Sequence, residues 1–186
     1  MLETTRRGFL LGTMSAGVAL HTAPARATLV RGLSLPVLVG RSQRIVVLEP
    51  LDAVCRYADI GGRKSLVTDT QVGVHQSWSG AADRELVLRT LGGRLDGVAE
   101  LVHGQPVLEL GAPALAFLQL GRDGRKWWTT GMAQGHFPLT DASETSQLKA
   151  DRGLPDIVNV ETSAVKQLVG RTLGEARELV RRVRAW

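Results

Sequence analysis

The run KSLVTDTQVGVHQSW, from Lys64 to Trp78, decides the fold class. Leu66, Thr68, Thr70, Val72, Val74 and Gln76 share one face of a period-2 pattern, because successive side chains of a strand point to opposite sides. The run is long for one strand, so a bend is expected, and Gly73 is placed to permit it. Ser79-Gly80-Ala81 then turns the chain into RELVLRT, Arg84 to Thr90. There Leu86 and Leu88 alternate with Glu85, Val87 and Arg89 before a second turn at Leu91-Gly92-Gly93.

The same texture extends in both directions. Upstream, RIVVL (Arg44 to Leu48) and AVCRYA (Ala53 to Ala58) read as two strands separated at Pro50, followed by a Gly61-Gly62 turn. Downstream, strands are expected at Gly97 to Val102, Ala114 to Leu120 and Lys126 to Met132, with short loops at His103 to Pro106 and Gly121 to Gly124. Arg122-Asp123-Gly124 suits a hairpin, since Asp-Gly tolerates the positive φ of a tight turn. Short strands with regular turns predict a mainly β domain, a small OB-like β-barrel or sandwich. Residues 141–152, DASETSQLKADR, lack a core pattern and read as a polar surface linker. A C-terminal amphipathic α-helix is expected over Leu173 to Arg184, with Leu173, Ala176, Leu179, Val180 and Val183 on one stripe. Thr172 and Glu175 have the spacing of a capping box at its start.

The first 27 residues have a different character. Arg6 and Arg7 precede thirteen uncharged residues, Gly8 to Leu20, and Ala25-Arg26-Ala27 carries small residues where signal peptidase needs them. The uncharged run is shorter than the roughly 20 apolar residues of a membrane span. TRRGFLL, with Phe9 and Leu10 after the paired arginines, resembles the twin-arginine export consensus. An ordinary secretory signal is the alternative. The resemblance implies the twin-arginine translocase and signal peptidase as partners during export and cleavage after Ala27. It also implies a periplasmic or secreted product with no stable membrane insertion. The expected parts are therefore the signal peptide 1–27, a barrel domain 28–140, and a linker with helix 141–186.

Removing 1–27 lowers the formal charge from +5 to +3, twenty basic against seventeen acidic residues. Spread along the chain, these describe a mixed solvated surface, not a nucleic-acid footprint. The clusters Arg122-Arg125-Lys126 and Arg181-Arg182-Arg184 read as a loop and a helix face. Cys55 is the only cysteine, so no intramolecular disulfide forms, and its place in a strand suggests a small buried apolar residue.

No motif for nucleophilic catalysis, phosphate cradling, haem attachment or zinc occurs, so no catalytic residue, metal ligand or cofactor is assigned. After the signal peptide there are three histidines, His75, His103 and His136, in no compact ligand spacing. The least ordinary stretch is TGMAQGHFPL, Thr130 to Leu139. Candidate binding residues are Trp127 and Trp128, whose adjacent rings must face opposite sides of a strand, together with Gln134 and His136. These point to a non-catalytic binding or accessory module with another exported protein as its partner. An exported enzyme or metal-binding protein, its site assembled from dispersed residues such as the three histidines, is the competing expectation.

The order of the VHQSWSG strand, the LGG turn, GAPALAFLQL and a short hairpin resembles the netrin-like domains related to tissue inhibitors of metalloproteases, which implies an OB-type barrel over residues 40–140. The disulfides of that family have no counterpart here. The TDTQVGV, LGG and GMAQGHFPL stretches are also similar to those of uncharacterised exported bacterial proteins.

Overall fold

The computed structural model describes residues 29–81 and 83–185. Arg6, Arg7, Phe9, Leu10, Ala25 and Ala27, the residues of the expected signal peptide, lie outside them. The strands are β1 (Val30–Arg31), β2 (Arg44–Asp59), β3 (Lys64–Ser79), β4 (Glu85–Leu91), β5 (Gly93–Leu95), β6 (Val98–Glu100), β7 (Ala114–Leu120), β8 (Trp127–Thr129), β9 (His136–Pro138) and β10 (Ile157–Val158). The helices are α1 (Leu35–Arg41), α2 (Ala164–Leu168) and α3 (Leu173–Arg184).

The long alternating run is β3, paired antiparallel along its length with β2 and over Val67–Gly73 with β4. The expected break at Pro50 does not occur, and β2 is one continuous strand. A register shift between Pro50 and Asp52 absorbs the proline. Pairing of β2 with β7 ends at Leu48, so Pro50 sits where no ladder bond on that edge is required. Strand β7 returns beside β2, the first of three strands joined in sequence, which is a Greek-key connection. Strand β8 lies antiparallel to β7 and parallel to β4, meeting β4 at Leu88 with Trp127. The ring β2-β3-β4-β8-β7 thereby closes on itself as an OB-like barrel.

Alternation on β2 and β7 feeds two cores. Val46, Leu48, Val72, Leu86, Leu88, Ala114, Ala116 and Leu118 fill the barrel. Ile45, Val47, Leu115 and Phe117 point the other way, toward a layer formed by α1, α2 and α3. Helix α3 buries Leu173, Ala176 and Val180 as its stripe predicts, and the capping box forms, with Thr172 N–H donating to Glu175 Oε2 at 2.8 Å. Helix α1 was not visible as a pattern, because seven residues around Pro36 are too few to show a period.

The polar stretch 141–152 is not a surface linker throughout. Ser146, Leu148 and Asp151 are buried. Ser146 Oγ accepts from the N–H groups of Thr140 and Asp141, and Leu148 joins the helix-side core. Three isolated anchors without a period leave no signature in hydropathy. No helix among the described residues is long and apolar enough to cross a membrane.

Candidate functional site

The barrel is zipped over only part of its length. Along one edge of β7, β8 pairs with Leu118–Leu120 and β9 with Ala114–Ala116. Between them the chain leaves the sheet through Gly131, at φ 70°, and a short 3-10 turn at Met132–Gly135. Strand β8 reaches β4, whereas β9 pairs with β7 alone among the described residues. Beyond Leu88, β4 therefore has no strand beside it on that side.

Residues 104–108 plug this gap. Gln105 Oε1 accepts from Leu91 N–H on β4 at 3.2 Å, and Gly104 C=O accepts from Ala133 N–H at 2.8 Å. Leu108 packs on the barrel interior. Cavities lie on either side of the plug, with Val107 and Arg152 in the wall of both.

The larger cavity, about 680 Å³, is the mouth of the barrel. Register places Thr68, Thr70 and Thr90 on the interior face, directly above the apolar filling, so its floor carries hydroxyls. Gly92 and Gly93 form part of the wall, and a side chain at Gly93 would collide with Thr68 and Cys55. Cys55 is half-buried beside this turn and not fully enclosed. The rim is mixed: Leu101, 81% exposed, and the exposed Val107 stand among the exposed polar groups of Glu100, His103, Arg152 and Asp156.

The smaller cavity, about 220 Å³, lies against β9. His136 pairs across the ladder with Ala116, and Pro138 with Ala114, so two alanines leave room for an imidazole. His136 is 3% exposed and Asp151 4%. His136 Nδ1 lies 2.5 Å from Asp151 Oδ2. Asp151 also accepts from Val107 N–H, at 3.1 and 3.2 Å, and from Gly153 N–H at 2.6 Å. A carboxylate that accepts from those N–H groups is acceptor-only, so in the pair with His136 it is Nδ1–H that donates the hydrogen bond. No protein group hydrogen-bonds His136 Nε2.

The other candidates are dispersed. Trp127 and Trp128 are both half-buried, and Trp127 lies under the Arg44 guanidinium, 4.7 Å from its ring centroid. Gln134 is buried with both ends of its amide engaged, accepting from Leu33 N–H and donating to Arg31 C=O. His75 pairs with Glu49 on the exposed part of the β2–β3 ribbon, His103 lines the barrel mouth, and His136 sits by β9. The three histidines do not converge, and no group of three or more metal-ligating side chains occurs among the described residues.

Several charged groups elsewhere are paired. On the outer face of β2, β3 and β4, Asp69 receives two hydrogen bonds from Arg89 and two from Arg56. Burial pushes the Asp69 carboxyl up, but the hydrogen bonds of Arg89 and then Arg56 outweigh it and hold it below the usual range. In the Arg122–Lys126 hairpin, the N–H groups of Arg125 and Lys126 donate to Asp123 and lower its pKa. On α3, Arg177 stacks over Trp78 and pairs with Glu144, and Arg181 pairs with Glu178.

Sequence reasoning missed Asp151, Leu101 and Val107 as site residues. One signal for Asp151 was available: Asp-x-Gly favours a turn in which the carboxylate accepts the glycine N–H. No protein-family model, no curated protein and no solved structure matches the chain.

Proposed function

We propose that this chain is an exported binding or accessory module, without catalysis of its own, that holds another exported protein at the mouth of its barrel. The observation that carries the reading is Leu101, 81% exposed on the wall of a cavity of about 680 Å³. Large apolar side chains held in the open beside a concave surface favour a macromolecular partner, and the threonine hydroxyls beneath supply polar contacts. Loops carried on a rigid barrel are where such contacts collect. His75, His103 and His136 lie apart, which favours this reading over an exported enzyme or metal-binding protein with a site assembled from such dispersed residues. Arg6-Arg7 with Phe9 and Leu10 support export by the twin-arginine route.

The test is a photo-crosslinking residue at Leu101, in protein recovered from the periplasm of the producing cell, with a second probe at the exposed, distant Thr145 as control. The reading expects an intact mass for a chain beginning at Thr28. It also expects one discrete adduct from Leu101, lost in Val107→Asp and absent from Thr145. A chain retaining residues 1–27, or equal labelling from both positions, overturns it.

A further inference from the structure

The cavity beside β9 has features that the barrel-mouth reading does not use. Its inner wall is apolar, formed by Ala114, Pro138 and Leu139, and the polar group among them is His136. Asp151 is not part of that wall, although Ala150 and Arg152 on either side of it are. The carboxylate therefore holds the ring from behind through Nδ1, which fixes the tautomer and orientation and leaves Nε2 for a partner. A buried nitrogen without a protein partner costs free energy unless something meets it.

At the entrance stand Lys149, Arg152 and Glu109, all exposed. Arg152 is ion-paired with Glu109. The ammonium of Lys149 forms no ion pair among the described residues, so the balance of charge at the entrance is positive. A cation would meet Lys149 and Arg152 on its way in. A carboxylate is attracted by them, and on binding it brings in one proton from solvent, held between its oxygen and the Nε2 lone pair in a hydrogen bond backed by Asp151. The volume, about 220 Å³, is equivalent to about seven waters at about 30 Å³ each, which suits a ligand of about six non-hydrogen atoms.

We propose that His136, positioned by Asp151, anchors a site for a short aliphatic monocarboxylate of three to five carbons. The carboxylate oxygen meets Nε2, the carbon chain lies on Ala114, Pro138 and Leu139, and Lys149 attracts the anion at the entrance. This site stands independently of the barrel mouth and of any protein partner there.

The experiment titrates the full chain with propionate, butyrate and valerate, with butanol and zinc ion as controls, and follows backbone amide shifts and calorimetry. Expected are dissociation constants of about 1 mM or tighter, with shifts confined to 107–114 and 136–152. Affinity falls about tenfold or more in His136→Gln and by a smaller factor in Lys149→Glu. Because His136 is buried and its variant could lose the fold, Lys149→Glu at the exposed entrance keeps the test decisive. The proposal is overturned by no carboxylate binding up to about 10 mM. Equal binding of butanol, preferential binding of zinc, or affinities unmoved by Lys149→Glu overturn it as well.

Discussion

The barrel is held on two sides by different physics. Where β2, β7 and β9 face the helices, Ile45, Val47, Leu115, Phe117 and Phe137 meet Leu35, Leu38, Leu168, Leu173 and Val180 in one continuous apolar core. Where β4 and β9 fail to meet, the opening is filled by 104–108, fastened by hydrogen bonds at Leu91, Ala133 and Val107 and by the insertion of Leu108. Apolar burial scales with area and is hard to undo in pieces, whereas a plug held by a few bonds is free to open alone. Both proposed sites lie against the plug, as expected if binding surfaces occupy the less tightly held part of a rigid scaffold.

The largest effect is expected on the helix-backed side. Phe117 is fully buried, and its ring meets Phe137 edge-to-face with centroids 5.9 Å apart. Phe117→Ala removes that pair and leaves a cavity, at an expected cost of about 3–5 kcal/mol by denaturant unfolding. A loss under about 1 kcal/mol would mean that the site collapses readily and that the two sides are not so different.

A smaller effect separates apolar from ionic support, on the outer face that neither helices nor plug cover. Asp69→Asn removes the charge shared by Arg56 and Arg89, with an expected loss of about 2 kcal/mol at neutral pH. The folded carboxyl titrates below its unfolded value, so its contribution is complete above about pH 4–5 and disappears as pH falls through the lowered folded value. Unfolding curves of the parent and Asp69→Asn should therefore converge once the pH has fallen through that lowered folded value. A difference that persists there would assign the loss to altered packing.

How much of this was legible follows from which interactions are periodic. Alternation along Lys64 to Trp78 and Ala114 to Leu120 announces strands, and the stripe from Leu173 to Val183 with Thr172 and Glu175 announces a capped helix. Each pattern repeats within its own element. The opening in the barrel arises instead because Gly131 and the turn after it carry the chain out of the sheet between β8 and β9, which no hydropathy pattern records. His136 stood out as a residue, but its partner Asp151 lies in a stretch whose polar composition reads as solvated surface. Pro50 misled in the opposite sense, since a bulge and an unpaired edge let β2 continue through it.

The smallest effect bears most directly on the difference between the two sides. Gln105→Ala takes the side-chain acceptor from Leu91 N–H and one fastening from the plug, with an expected global loss of about 1 kcal/mol. If the plug opens as its own unit, Leu91, Ala133 and Val107 should exchange at an opening free energy below the global one, and about fivefold faster in the variant. The amides of Val46 and Ala116, in the β2–β7 ladder, should exchange only at the free energy of global unfolding. One common opening free energy at all five amides would show that plug and barrel open together. The side bearing both proposed sites would then be no more mobile than the helix-backed one, and ligand access would have to come from side-chain motion at the rim.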